Sequence, residues 1–499
     1  MTSISSPILD AIDAACGTMG RVFAEDGLPD FAATMWPVAS LEFEPEVSEA
    51  HVPGRHVNAL LLAEAIGRTV DDSTVNAHRD ALFFSYSGGA PLPLNRAEKS
   101  ASTPTIFLPH NVREGFHGLH ALARYRDDSR ALALIEQSVA YILHHWNPSE
   151  GWDRQVADET GWSFGTVPGI GRALGPLVKI LELTGDRSVR RLADLIATKL
   201  LTEHYLPEGD FDVERFGRHV HSITSSLSSL AQYARFTGDR AALDAAKAFY
   251  GNGMWALRDA LGWAGESFVG PELASDLGEA NTTGDLVETA LILADEGDTS
   301  YLDDAERMIQ SYLLPAQMRD VAIFAQDPDE TLRKLEGSWG FAAPYGHLPV
   351  GVGVVMANTD VVGGTASSLC QAVVESVRVE KGIPTVRLYL DAEREGVRAS
   401  LDGGTARVAA DAVQVAIRVP RFDGTSGGFR SIDPRAESEV SFPIERETIV
   451  LRHPQRDIRA RVMGNRVEAM DAFGQPFAFF PPYEIIASQR EDDDERLGW

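Results

Sequence analysis

Cysteine is nearly absent from this chain: 499 residues hold two, Cys16 and Cys370. That excludes a disulfide framework. A single bridge between them is open, but nothing requires it, and two reduced thiols in a cytoplasmic protein is the simpler reading. Positive charge is scarce too. Lys and Arg number 45 against 73 Asp and Glu, a formal net charge of −28 with a pI near 4.8. No basic stripe is present, which argues against nucleic acid as a partner. An anionic ligand would need a local cluster of Arg and His. Long apolar runs are missing: none reaches the ~18–20 residues of a membrane span, so no membrane partner is expected. The N-terminus has no basic region and carries Asp10, Asp13 and Glu25, which reads as an amphipathic helix, not a signal peptide.

What the chain does have is ample apolar content, 44% of residues, enough for one large domain and a smaller one. It also repeats. Segments beginning at His120, Val178, Ala231 and Ala290, with a weaker copy at Leu60, each read as the end of an apolar helix, a short Asp-containing turn, and an amphipathic helix. The turn aspartates are Asp72, Asp128, Asp186, Asp239 and Asp298, spaced 53 to 59 residues apart. That period is too long for the shorter solenoid repeats and holds two helices plus a long loop. Gly-Asp supplies a C-cap followed by an N-cap. The helix before each turn is richer in Ala and Leu, and the one after it carries its charges on one face. Inner and outer helices alternating around a ring give an (α/α)6 toroid, with the sixth hairpin pairing the N-terminal helix with "GTASSLCQAVVESV". An open α-solenoid is the alternative, but its end repeats would be expected to look atypical.

Beyond residue 376 the pattern turns to short alternating or β-branched runs between Gly, Pro and Asp turns, such as "TVRLYLD" and "TIVLRH". The expected organisation is a mainly α fold: an (α/α)6-barrel catalytic domain over 1–376, a β-sandwich over 377–488 and a charged tail over 489–499. The stretch from Pro315 to Pro349 reads as a long connection over one mouth of the ring.

In such a ring the inner helices start at one mouth. The segments entering them are rich in polar groups or glycine: "HVPGRHVNALLLAEA", "FLPHNVREGFHGLHAL", "WSFGTVPGIGRALGPL" (with Trp162 and Arg172), "ERFGRHVHSITSSLSSL", "LGEANTTGDLVETAL" and "VMANTDVVGGTASSL". Neighbouring loops add Trp146, Trp152, Asp153, Trp263, Glu266 and Phe268. Aromatic rings mixed with Arg, His and carboxylates suit a polyhydroxylated ligand. Any one of these residues has a plainer reading as well. A His near a helix start usually serves a local hydrogen bond, and Glu114 or Glu279 could cap a helix or answer its dipole. The six coincident entries carry the inference of a site.

These stretches together resemble the six-hairpin glycosidases, and in particular the family 127 glycoside hydrolases, the β-L-arabinofuranosidase group. The similarity runs in order from "GRHVNALLLAEA" through "LPHNVREGFHGLHALARYRDDSRAL", "RHVHSITSSLSSLAQYARFTGDRAAL", "GWAGESF" and "GEANTTGDLVETALILADEGDTSYLDDAERMIQSYLL" to "TVRLYLD". The resemblance implies a toroid with a β-domain and hydrolysis of a glycosidic bond. That family holds zinc through a Glu and three cysteines, one of them the nucleophile. Glu279 keeps the Glu position, but Asn281 stands where a Cys is expected, and no Cys lies near Asp360 to Val362. Zinc and a cysteine nucleophile are therefore rejected, with no metal and no cofactor expected. Other six-hairpin families, the β-glucuronidase-type and unsaturated glucuronyl hydrolases, use Asp and Glu without metal. Arg55, Arg113, Arg172, Arg215 and Arg218 near the mouth would suit their anionic sugars.

The expected activity is thus a glycoside hydrolase, exo-acting on a uronic-acid or arabinofuranose residue through two carboxylates. The catalytic candidates are Glu279, Glu114, Asp360 and Glu266, with Glu279 favoured as acid because burial at a helix entry would raise its pKa. The candidates for substrate binding are His56, His110, Asn111, Arg113, Trp152, Asp153, Arg218, His219, His221, Asn281, Asp285, Tyr345 and His347. A carbohydrate is the expected partner, and a homo-oligomer is left open. Three rivals stand: an epimerase or isomerase using histidines, a non-catalytic carbohydrate-binding relative and, more weakly, a lyase.

Overall fold

The structure is a computed structural model that describes residues 6–153, 165–268, 277–347, 354–453, 457–472 and 477–483. Trp162 and the tail 489–499 lie outside the described residues. The main helices are α1 (Pro7–Met19), α2 (Val52–Ala65), α3 (Asp72–Ser85), α4 (Asn111–Arg126), α5 (Ser129–His145), α6 (Leu174–Thr184), α7 (Arg187–Glu203), α8 (Val220–Thr237), α9 (Arg240–Gly251), α10 (Ala280–Leu293), α11 (Ser300–Met308) and α12 (Thr359–Glu375). The chain is mainly helical, with a β-rich C-terminal region.

Two kinds of helix alternate. In α8 every residue from Val220 to Ala234 is buried. In α7 burial is confined to Val189, Leu192, Ala193, Ile196, Ala197 and Leu200, one stripe of a helix that otherwise faces water. The buried helices pack in a circuit: α2 on α4, α4 on α6, α6 on α8, α8 on α10, α10 on α12, and α12 back on α2. Helix α1 lies against α12.

The turns follow the capping chemistry with two differences. Asp128, Asp186 and Asp239 are N-caps whose carboxylates accept from backbone N–H groups one turn on. In the first hairpin the cap is Asp71, not Asp72, because the helix begins one residue earlier. In the last, Thr299 is the N-cap residue, and Asp298 accepts from the Ser300 N–H and hydroxyl instead. Gly185, Gly238 and Gly297 close the preceding helices in the left-handed region, where a side chain would be strained.

One glycine decides how the site is assembled. A Cβ on Gly54 would lie 2.1 Å from the Glu114 carbonyl oxygen. Helices α2 and α4 therefore touch backbone to backbone, and Arg55 is brought directly beside the Glu114 side chain.

Strands Ala32–Trp36, Ser40–Glu42 and Val355–Asn358 form a three-stranded antiparallel sheet, with Ala32–Trp36 in the centre. The sequence reading assigned no sheet here, treating Pro315–Pro349 only as a connection. This sheet shares an apolar cluster with Met318, Val321, Phe324, Leu332 and Leu335 from that connection. It leads straight into α12, and Thr359 is pinned where its hydroxyl donates to the Asp30 carbonyl at 2.6 Å.

The β-rich region begins at Val377. Two four-stranded sheets both contribute to one apolar cluster that includes Val386, Val397, Leu401, Val408, Val415 and Ile417. A third, Arg446–Arg452, Asp457–Met463 and Arg466–Met470, contributes Leu451, Ile458, Ala460 and Val462 to the apolar core of the helices. The fully buried Arg418 ties the region to α11 by pairing with Asp303 and Glu306. Glu306 also accepts from Asn465 Nδ2 at 2.6 Å and the Tyr389 N–H at 2.7 Å.

Candidate active site

The outer helices α3, α5, α7 and α9 are capped by Asp side chains, whereas none of α2, α4, α6, α8, α10 and α12 has a side-chain cap. Glu279 occupies the N-cap position of α10 without making that bond. Capping therefore does not account for its placement. The polar residues at these starts bond to one another instead.

Arg55 is the hub. Its Nη2 donates to Glu114 Oε1 at 2.9 Å, its Nε lies 2.8 Å from Oε2, and its Nη1 lies 2.5 Å from Asp360 Oδ2. Arg113 Nη1 also reaches Glu114 at 3.1 Å, while its Nη2 donates to Asp285 Oδ1 at 2.9 Å. His51 Nε2 stands 3.2 Å from Asp360 Oδ2, and His51 is held from behind by Asn111 Oδ1 at 2.8 Å. His221 bridges two carboxyl groups, with Nδ1 3.5 Å from Glu279 Oε2 and Nε2 3.3 Å from Asp285 Oδ2. Behind them lies a polar cavity of about 30 Å³ reached by Arg113, Lys179, Asn281 and Glu288.

The carboxyl groups have different electrostatic surroundings. Burial alone would raise Glu114, but Arg55, Arg113 and His51 overcome it and hold it well below the usual carboxylate range. Asp360 is likewise lowered, burial being outweighed by Arg55 and His51. Glu279 goes the other way, to about 8: burial raises it first, then Asp360 and Glu266, and the more distant arginines only temper this. Asp285 rises to about 6 because burial outweighs Arg113. Glu266 is raised by burial alone. His219 falls to about 3 and His221 well below its ordinary value, burial acting first and Arg172 second in both. At neutral pH this leaves ionised Glu114 and Asp360, a protonated Glu279 and neutral imidazoles at His219 and His221.

Of the residues expected at the site, the structure gathers Glu279, Glu114, Asp360, Arg113, His219, His221, Asn281 and Asp285, with Glu266 and His110 alongside. Others have different partners. His56 is fully buried, with one ring nitrogen on His78 at 3.1 Å and the other on the Thr359 carbonyl at 2.8 Å, so neither is free for a sugar. Asn111 is committed to His51 and the Glu46 carbonyl. The Tyr345 hydroxyl donates to Asp259, 2.8 Å from both oxygens. The His347 ring packs on Phe324 and Phe479. Trp152 packs edge-on to Phe107, and Asp153 pairs with His145 beyond the end of α5. Arg218 is exposed. His51 was not among the expected residues, although Pro53 marks a helix start and makes His51 the N-cap.

The residues do not fit the thiolate zinc site of the family they resemble. Asn281 holds the cysteine position, and Cys370 lies in the apolar core with Cys16 as its electrostatic neighbour. His219, His221 and Glu279 have donor atoms within 4.8 Å of one another, a loose cation-binding set by residue type. Arg172 Nη2, however, lies 3.3 Å from His221 Nδ1, and the same positive field that depresses both imidazoles opposes a cation.

No protein-family model matches the chain, and no curated protein matches it in sequence. Solved structures do. A family 127 β-L-arabinofuranosidase from Geobacillus stearothermophilus T6 superposes with a TM-score of 0.54 at 14% identity, covering 93% of this chain and 80% of that one. A sugar epimerase from a ruminal bacterium gives 0.53 at 13% identity, covering 73% and 97%. An unsaturated glucuronyl hydrolase specific for heparin gives 0.51 at 10% identity, covering 73% and 97%. At such identities it is the fold that is shared, and the chain's structural neighbours are, at a distance, proteins of the six-hairpin glycosidase fold.

Proposed function

We propose that this protein is a glycoside hydrolase whose general acid is Glu279 and whose second carboxylate is Asp360. The circuit of buried helices is read as an (α/α)6 toroid and the two four-stranded sheets as a β-sandwich. The observation that carries the reading is the divergence of these two neighbouring acids. Glu279 keeps its proton up to about pH 8, while Arg55 and His51 keep Asp360 ionised. Glycosidic cleavage needs that division of labour: a proton for the leaving oxygen and a negative charge for the oxocarbenium-like centre.

Asp360 Oδ2 is occupied by Arg55 and His51, whereas Oδ1 is buried with no hydrogen-bond partner among the described residues. In this reading Oδ1, the oxygen without a partner, is the one that would serve the anomeric carbon. A carboxylate held this low is a poor proton acceptor, which suits a nucleophile or charge stabiliser better than a base for water. Glu114, locked by Arg55 and Arg113, fixes both guanidinium groups and takes no proton. Substrates of the expected classes are uronic-acid and arabinofuranose glycosides in an exo mode.

The epimerase reading draws on a solved structure of that name and on the paired His219 and His221. Their basicity is depressed far below neutrality, so they are weak bases where an epimerase would need strong ones. A panel of aryl glucuronides and aryl arabinofuranosides tests the proposal. Release of the phenol by wild type, abolished in Glu279→Gln and Asp360→Asn, is expected. Interconversion of free sugars without phenol release would favour the epimerase.

A further inference from the structure

We infer that Arg172 receives an acidic group of the substrate, so that the site selects a carboxylate-bearing sugar over its neutral counterpart. This rests on the hydrolase reading only for the location of the site, and it narrows the substrate to the anionic class.

The arginines expected to bind an anion have different commitments. Arg55 is bound to Glu114 and Asp360, and Arg113 to Glu114 and Asp285. Arg215 lies against Asp210 and Asp212, away from the cluster. Arg172 differs from all of them. Its nearest carboxylate oxygen, Glu114 Oε1, is 3.5 Å off and already accepts from Arg55 at 2.9 Å and from Arg113 at 3.1 Å. Its Nε donates to a neutral group, Ser225 Oγ, at 3.1 Å, and Nη2 meets the neutral His221 at 3.3 Å. Nη1 has no hydrogen bond among the described residues.

A buried guanidinium that shares one overcommitted carboxylate is undercompensated. Arg172 is only 3% exposed, and its proton affinity is lowered to about 10 by burial and then by Arg113 and Arg55, against the pull of Glu114. After burial, Arg172 is also the main depressant of both His219 and His221. Its field is thus directed across the same imidazoles that flank Glu279. A ligand carboxylate on Nη1 and Nη2 would supply the missing partner in the paired geometry that guanidinium favours. The short 3-10 turn Ile170–Ala173 holds the residue in place, because the Arg172 carbonyl accepts from Ser229 Oγ of α8 at 3.1 Å.

Calorimetry on the full chain separates this role from a purely structural one. The probes are the free aldohexuronates glucuronate and galacturonate, the methyl esters of both, and glucose and galactose. Wild type should bind at least one uronate about ten- to a hundredfold more tightly than its own ester and its neutral aldose, the range set by a charged hydrogen bond. Arg172→Met should remove that preference while leaving affinity for the neutral sugar within about twofold, and Arg172→Lys should restore part of it. Equal binding of uronate and ester by wild type would overturn the inference, and needs no variant to fold. So would a full preference in Arg172→Met. Binding is read here without turnover. A protein that prefers the uronate but hydrolyses nothing would sink the hydrolase reading alone.

Discussion

Arg55 Nη1 and Asp360 Oδ2 lie 2.5 Å apart at the start of two inner helices, α2 and α12, that are separated by three hundred residues of chain. The contact fixes the ionised carboxylate. Glu279, beside it, has no guanidinium of its own within hydrogen-bond reach among the described residues. In the proposed mechanism that asymmetry makes Glu279 the proton donor and Asp360 the anion.

The pH dependence of turnover should report the asymmetry. A raised acid keeps its proton below its folded pKa and loses it above, so kcat/KM should fall on the alkaline side with a midpoint near 8. Stability should move the same way. The folded state holds a proton that the unfolded chain releases near pH 4.5, so the Glu279 contribution is complete below that value and is lost as pH rises through about 8. Glu279→Gln should flatten this part of the profile of denaturation midpoint against pH. An unchanged slope would place the raised acid elsewhere.

Asp360→Ala should lower turnover by about a hundred- to ten-thousandfold. Small anions such as azide or formate should restore part of it by occupying the space of the lost carboxylate. The configuration of a glycosyl azide product would then distinguish an Asp360 nucleophile from an Asp360 that assists water.

Chelators should leave activity unchanged. No set of thiolates lies at the site, and the arginine field opposes a cation at His219 and His221. Inhibition by a chelator, reversed by a stoichiometric divalent metal, would contradict this directly.

The close approach of α2 and α4 gives a structural prediction. Gly54→Ala places a methyl group against the Glu114 carbonyl, backbone that cannot rotate away. Overpacking of this kind costs roughly 1–3 kcal/mol. A lowered unfolding midpoint should be accompanied by loss of activity, because Arg55 and Glu114 are carried apart. A fully stable and active variant would show that the helices can separate without consequence.

Three of the turns were legible because an Asp cap, Asp128, Asp186 or Asp239, stands beside a left-handed Asp127, Gly185 or Gly238. The cluster of polar side chains was legible as a set of polar helix entries. Partnerships were not. Sequence could list Arg55, Glu114 and Asp360, but not that one guanidinium holds both acids, since that depends on how three inner helices cross. The sheet joining Ala32–Trp36 to Val355–Asn358 was hidden for the same reason: its strands are short and their pairing spans most of the chain. His56, His347 and Tyr345 looked like sugar contacts by residue type and by their places beside helix starts and turns. His56 and Tyr345 instead hydrogen-bond inside the protein, and the His347 ring packs on Phe324 and Phe479.

The central claim is that Glu279 delivers the proton to the departing oxygen. It is tested most directly by comparing Glu279→Gln with wild type on aryl glycosides whose leaving groups span a wide range of acidity. The account predicts a small loss with a strongly acidic phenol, which departs without help, and a loss that grows to a thousandfold or so as the phenol becomes less acidic. A loss of the same size for every leaving group, or wild-type turnover of the least acidic one, would contradict it.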